Sequence, residues 1–250
     1  MTKIALITGS SGGVGKELVE TYLKDGYIVI GLDHNTSGNS DSEFFKEINT
    51  CLQKFSKDIS YRNETLDKIK SYLSNDITNF VLINNAAKQI LKPVSEINLQ
   101  DWQSSFEINT FSPFFLIQEL LEYLKLTKGH VINISSIHSK LSKNSFTCYA
   151  ASKAALEALT RSLAIELSSF GISINAVSPA AISTNMLVES FKDKPKSFEE
   201  LKDFHPSKTI GSPQEVAKFV KSITDFSGKF LTGSILEING GIGAKLNDPT

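Results

Sequence analysis

Apolar residues along the chain recur in two rhythms. Short, nearly continuous runs rich in β-branched residues occupy positions 3–8, 27–33, 80–84, 130–135, 172–177 and 235–238, with a weaker run near 57–61. Continuous runs, rather than strict alternation, suit strands covered on both faces, as in a parallel sheet. Between them, apolar residues fall three and four apart and so line one face of a helix, over about 14–24, 42–55, 63–73, 99–126, 149–169 and 213–226. The last of these helices has an explicit start. Ser212 stands at the N-cap, Pro213 at the first helical position and Glu215 three residues after the serine, which together make a capping box. Strand–helix alternation from end to end predicts an α/β fold: a single-domain doubly wound parallel sheet of Rossmann type, with helices on both faces, over residues 1–250. The most polar long interval, about 189–208, holds Lys192, Asp193, Lys194, Lys196, Glu199, Glu200, Lys202 and Asp203. It reads either as a mobile flap or as a solvated insertion, because loops this long are uncommon unless functional or disordered.

Composition narrows the field. The 250 residues are 40% hydrophobic and 21% charged, with a net charge of −1. A balance this even leaves no electrostatic footprint for nucleic acid or an anionic membrane. The chain has no apolar run long enough to span a bilayer and no signal-peptide pattern at its start. The two cysteines, Cys51 and Cys148, have no metal-ligand spacing and make no disulfide framework. A soluble protein of the reducing cytoplasm, with no metal, is the expectation.

The turn after the first strand carries the first chemistry. Thr8-Gly9-Ser10-Ser11-Gly12-Gly13-Val14-Gly15 closes a strand and opens a helix. A pyrophosphate needs backbone N–H donors and close approach without Cβ atoms. Glycines at a helix N-terminus supply both. The second strand ends at Asp33, where a carboxylate can accept hydrogen bonds from an adenosine ribose diol and repel a 2′-phosphate. That favours NAD over NADP, although Lys16 lies just beyond the turn. Alone, the glycines could be a structural turn and Asp33 a turn-initiating aspartate.

Tyr149 and Lys153 stand four residues apart, on one face of a predicted helix. With six tyrosines in the chain, about half of such a match arises by chance, so the spacing proves little. Its chemistry says more. An ammonium held about 4 Å from a phenolate is worth about 4 kcal/mol at an effective dielectric near 20. That is enough to carry a phenol from its ordinary value of about 10 into the neutral range, where acid–base catalysis is efficient. Ser136, thirteen residues upstream and just past a strand, offers a hydroxyl to a substrate oxygen; Ser135 and Ser139 are alternatives.

In this order, Thr8–Gly15, Asn84-Asn85-Ala86-Ala87, Asn109, Ser136 and the Tyr149/Lys153 pair resemble the short-chain dehydrogenase/reductase family, in its compact NAD-preferring branch. The likeness continues through Asn175–Pro179, Gly211–Ala217, Leu231-Thr232-Gly233 and Asn239-Gly240-Gly241. The resemblance implies hydride transfer between a nicotinamide and a secondary alcohol or ketone. It makes Tyr149 the acid/base, Lys153 its tuner, Ser136 the substrate-orienting hydroxyl and Asn109 the holder of a relay water. It also implies cofactor contacts from Thr8, Gly9, Ser11, Gly13, Val14, Gly15, Asp33, Asn84, Ala86, Tyr149, Lys153, Pro179, Ile182 and Thr184. Asp58, before Ile59-Ser60 in the weak third-strand run near 57–61, would reach the adenine. His138, Gln89 and a substrate-side flap over about 187–212 would line the substrate pocket, and the family's two long central helices imply a homo-oligomer, a tetramer or dimer. Two departures stand out: Ala87 and Ala180 replace family glycines. Two further readings stay open, an NADP-linked reductase of the 3-oxoacyl carrier-protein type and a non-catalytic nucleotide-binding regulator.

Overall fold

The computed structural model describes residues 2–35, 42–74, 76–193 and 195–246. Among them run seven parallel strands: β1 (Thr2–Thr8), β2 (Ile28–Asp33), β3 (Phe45–Asn49), β4 (Ile77–Asn84), β5 (His130–Ile134), β6 (Ser173–Pro179) and β7 (Ile235–Ile238). They lie in the order β3-β2-β1-β4-β5-β6-β7. The sheet grows outward from β1 in one direction through β2 and β3, then in the other through β4 to β7. The topological switch therefore falls between β1 and β4, and a crevice opens at the carboxyl ends of those strands.

The apolar runs are continuous because each inner strand feeds two cores. On β1, Ile4 and Leu6 point into one buried layer and Ala5 and Ile7 into the other. The first layer holds Phe55, Leu66 and Ile69 from α2 (Leu52–Lys57) and α3 (Ile59–Ser71). It also takes Leu116 and Ile117 from α5 (Ser112–Glu119), Leu124 from α6 (Leu121–Thr127), and Leu163 and Leu167 from α7 (Thr147–Leu167). The second layer holds Leu18, Val19 and Tyr22 of α1 (Gly13–Lys24) with Val216, Val220 and Ile223 of α10 (Pro213–Thr224). The Ser212/Glu215 capping box forms as the sequence predicts: Glu215 N donates to Ser212 Oγ at 3.2 Å, and Ser212 N donates back to Glu215 Oε2 at 2.7 Å.

Three expectations need correction. The third strand is Phe45–Asn49, not the segment near 57–61, and it lies inside the stretch 42–55 that reads as a helix. The strand forms the sheet edge, so it lacks the two-sided apolar run, and Phe45, Ile48, Leu52 and Phe55 happen to fall at helical spacing. The segment near 57–61 is instead the junction of two helices, where Asp58 caps α3 by accepting from Tyr61 N at 3.0 Å. The predicted helix over 99–126 is in fact α4 (Leu99–Phe106), a π-helical turn (Glu107–Phe111), α5 and α6. Pro113 explains the π-turn. It has no N–H for the carbonyl of Asn109, so the ladder slips by one residue and Ser112 N reaches Glu107 O. Finally, the polar interval contains two helices, α8 (Asn185–Ser190) and α9 (Pro195–Phe204); Lys194 lies outside the described residues.

Candidate active site

Everything the sequence singles out at the first turn meets at the carboxyl end of β1. Gly9 (φ +67°) and Gly13 (φ +45°) adopt left-handed backbone that side chains avoid. A Cβ on Gly9 would lie 2.9 Å from Ala86 Cα, and one on Gly13 would lie 2.9 Å from the Thr184 methyl. A Cβ on Gly15 would collide with the Gly9 carbonyl at 1.8 Å, whereas one on Gly12 would meet nothing within 4 Å. The turn is thus packed tightly on its protein side and open on the other, the form a phosphate cradle needs. Val14 packs its side chain onto the second core layer. Thr8 is buried, and its hydroxyl accepts from Asn85 N (2.9 Å) and Ala86 N (3.0 Å). Asn85 Nδ2 returns bonds to the carbonyls of Thr8 (2.9 Å) and Gly9 (3.0 Å). These bonds lock the turn to the end of β4. Sequence reading missed the brace from Asn85, although its Asn-Asn pair was the available signal.

Asp33 ends β2 as expected. Its Oδ2 accepts from Ser11 N of the glycine turn at 3.0 Å, and its Oδ1 from His34 N at 2.7 Å and Asn35 N at 3.2 Å. Ser11 Oγ donates to Glu47 Oε1 on β3 at 3.2 Å. A second carboxylate therefore stands beside the glycine turn, supplied by the strand that the sequence misplaced. Asp58 does not belong to this group, because its carboxylate is spent on capping α3.

The residues expected to carry acid–base chemistry gather where β5 ends against α7. Ser136 caps a short 3-10 turn, Ile137–Ser139, accepting from His138 N at 3.2 Å, and its hydroxyl is the polar group that acts on the Tyr149 phenol. Lys153 is 1% exposed and donates from Nζ to Ile134 O, the last carbonyl of β5, at 2.7 Å. Its Nζ lies 5.8 Å from the centroid of the Tyr149 ring. Burial pulls Lys153 down to about 7, opposed by the nearby charge of Glu157. Burial likewise pushes Tyr149 up, and the Ser136 hydrogen bond only partly offsets it. In the cofactor-free protein, low-dielectric surroundings disfavour the charged form of each group, raising the phenol and lowering the ammonium.

Asn109 is wholly buried in the π-turn. Its Oδ1 accepts from Lys88 N (2.7 Å), and its Nδ2 donates to Lys88 O (2.9 Å) and Ser152 Oγ (2.8 Å). The side chain clamps the loop after β4 to α7, one turn from Tyr149. Asn84, the last residue of β4, donates to Asn133 Oδ1 at 2.8 Å, and Asn133 donates to Thr160 Oγ1 at 2.9 Å. Asn84 Oδ1 is buried with no hydrogen-bond partner among the described residues, a polar atom left over at the crevice. His138 rests edge-on to Tyr149, with ring centroids 6.1 Å apart, and against Phe146 at 4.3 Å; its Nδ1 meets Leu141 O at 3.1 Å. Burial and Lys143 hold its pKa below the ordinary histidine value.

On the far wall, β6 ends at Pro179, and Ala180 N bonds Ile238 O at 3.2 Å. Ile182 bridges Gly211, and Thr184 caps α8 with its methyl against the glycine turn. Neither Ala87 nor Ala180 has a positive φ, so alanine is accommodated without backbone strain at both departures from the family pattern. The polar segment is pinned at its base, where Ser207 N donates to Gly240 O at 3.0 Å. Gly240 (φ +59°) admits that approach, since a Cβ there would lie 2.4 Å from Ser207 Oγ.

A doubly wound sheet with a glycine cradle at its switch point, and a Ser–Tyr–Lys cluster across the crevice, defines a dinucleotide-dependent oxidoreductase. The comparisons agree. The short chain dehydrogenase family model matches residues 3–195, and the chain belongs to that family. It is 30% identical over 246 residues to the uncharacterized oxidoreductase YmfI of Bacillus subtilis (strain 168), covering 96% of this chain and 99% of that one. Among solved structures, it superposes on 4-hydroxyisoleucine dehydrogenase complexed with NADH with a TM-score of 0.87 and 26% identity, over 98% of this chain and 100% of the other. ElxO with NADP bound gives a TM-score of 0.86 at 26% identity, over 98% and 100% of the two chains. The chain is thus an NAD(P)-dependent dehydrogenase/reductase acting between CH–OH and C=O. No helix among the described residues is long and apolar enough to cross a membrane.

Proposed function

We propose that this enzyme uses NAD(H) to interconvert a secondary alcohol and a ketone, with Tyr149 as the proton-transfer group. The observation that carries this reading is the clustering of Tyr149, Ser136 and the buried Lys153 where β5 ends against α7. A bound nicotinamide supplies or accepts the hydride. The glycine turn and the exposed face of Gly12 would hold its pyrophosphate, and Pro179, Ile182 and Thr184 its nicotinamide end. Ser136 orients the substrate oxygen. Tyr149, whose pKa is raised by burial, is a protonated donor at neutral pH and delivers its proton to that oxygen in reduction. In oxidation the proton returns to it. Lys153 fixes the end of β5 and, when protonated, steadies the phenolate. Asn109 holds the Lys88 backbone and the π-turn that face this proton path. The segment over about 187–212, anchored at Gly240, covers the substrate side.

NAD is favoured over NADP by the acidic adenosine end. Asp33 and Glu47 both contact Ser11, and a 2′-phosphate placed there would face two carboxylates. Tyr149→Phe should lower turnover at least a hundredfold while leaving NADH affinity within about twofold, read by NADH fluorescence titration. A Tyr149→Phe enzyme with wild-type turnover refutes the assignment of Tyr149, and tighter binding of NADPH than of NADH refutes the cofactor preference.

A further inference from the structure

The hydroxyls on either side of Ser136 share a partner that the mechanism above does not use. Ser135 Oγ donates to Glu157 Oε1 at 2.8 Å, and Ser139 Oγ donates to the same oxygen. Glu157 lies on α7 one turn beyond Lys153 and is only 9% exposed. A carboxylate is rarely buried without a task, because removing it from water costs several kcal/mol unless charge or donors compensate. Here two serine hydroxyls from the turn after β5 supply the donors, and a buried lysine stands at the i−4 position of its own helix.

Of the other charged groups around α7, Arg161 and Glu166 lie on its exposed face, and Asp101, Glu107 and Lys140 are engaged elsewhere. Asp101 on α4 is bonded by Lys92 at 2.9 Å, and Glu107 of the π-turn faces Lys57 at 3.7 Å. The turn after β5 brings His138, which packs on aromatic rings, and Lys140, which reaches Glu237 on β7 at 3.4 Å. Strand β6 contributes no titratable side chain, and on α7 itself Cys148 is buried towards Asp101 and Lys92. Glu157 is thus the charge that acts on Lys153.

We propose that Glu157 is a positioning residue of the active site. Its carboxylate ties the serine turn carrying Ser136 to the helix carrying Tyr149, and from one helical turn away its charge opposes the loss of the Lys153 proton. One buried carboxylate would then bias the charge state of Lys153 and set the distance between the substrate-orienting hydroxyl and the acid/base. The catalytic half rests on the function proposed above; the coupling of Glu157 to Lys153 does not.

The test begins with the cofactor-free protein, labelled with ¹³C at lysine and titrated by NMR. The Lys153 signal is identified by its loss in Lys153→Met. In Glu157→Gln, which keeps an acceptor oxygen but not the charge, Lys153 should titrate about one pH unit lower than in the wild type. With substrate, the alkaline limb of the kcat/KM profile should move down by the same amount. Glu157→Asp keeps the charge but is too short to hold both serines. It should retain the wild-type alkaline limb and lose about tenfold in kcat/KM. An unchanged Lys153 titration in Glu157→Gln overturns the electrostatic role, and wild-type kcat/KM in Glu157→Asp overturns the positioning role. If Glu157→Gln does not fold, the Glu157→Asp arm still decides the positioning role. Absence of any turnover in the wild type would count against the proposed function alone, since the NMR titration needs neither substrate nor cofactor.

Discussion

Lys153 shows most sharply what burial does to a single group. Its folded value near 7 lies well below the 10.5 it has when exposed. Between those two values the unfolded chain holds a proton that the folded chain has released. Stability contributed by this residue must therefore rise with pH across that window, by up to about 1.4 kcal/mol per pH unit. Urea unfolding of the cofactor-free protein at pH 7, 8 and 9 should show the rise in the wild type and a flatter dependence in Lys153→Met. The raised phenols of Tyr149 and Tyr22 titrate above this range and leave the comparison undisturbed. The residue scale also shows where the sequence was legible. Tyr149, Lys153, Ser136 and Asp33 could be picked out by type, spacing and place at strand ends. Glu47 and Glu157 could not. Glu47 reaches Ser11 only because an edge strand pairs with β2, and Glu157 needs a turn eighteen residues upstream to fold back on it.

At the level of elements, local signals held wherever the chain obeys local rules. The capping box at Ser212 is one such place. Ser212→Ala should cost about 1 kcal/mol of stability, with Ser212→Asp recovering most of it, measured by urea denaturation. The loss would be felt beyond the helix end, because α10 packs on α1 and Tyr22 of α1 bonds Thr224 of α10 at 2.6 Å. A similar box at Asn98 and Asp101 starts α4 and was readable in principle, since Asn precedes the apolar run and Asp follows three later. The long helix over 99–126 fails as a prediction because its apolar spacing runs straight through Pro113. That proline was the visible sign that the ladder could not continue, and the resulting π-turn holds Asn109 against Lys88 and Ser152. Helical spacing over 42–55 misleads for the opposite reason: an edge strand needs only one buried face, so its few apolar residues do not declare a period.

For the whole molecule, the outward faces of α5 and α7 bear on assembly. Phe111, Phe114, Phe115 and Leu159 line a groove beside Glu107 and Thr110, and Phe111 is 46% exposed. The family resemblance implies a homo-oligomer, and we propose this apolar groove along two central helices as the surface that would be covered. Light scattering coupled to size exclusion should report a tetramer or dimer for the wild type, and a Phe111→Glu/Leu159→Lys variant should elute as a smaller species with its far-UV spectrum unchanged. A monomeric wild type would remove that expectation.

The two rhythms of apolar residues were sufficient to give the class of fold, because strands buried on both faces and helices buried on one leave different periods in the chain. The glycine turn, Asp33 and the Tyr149/Lys153 pair could likewise be read directly, since their chemistry depends on residue type and on position at a strand or helix end. Tertiary structure decided what depends on the surroundings. It placed the third strand at the sheet edge, spent Asp58 on a helix cap and brought Glu47 to Ser11 of the glycine turn. It also buried the Tyr149/Lys153 pair, so that desolvation opposes the charged form of each group. Spacing gives the attraction between an ammonium and a phenolate, but only packing decides how much water is removed from both, and in this site desolvation is the larger effect.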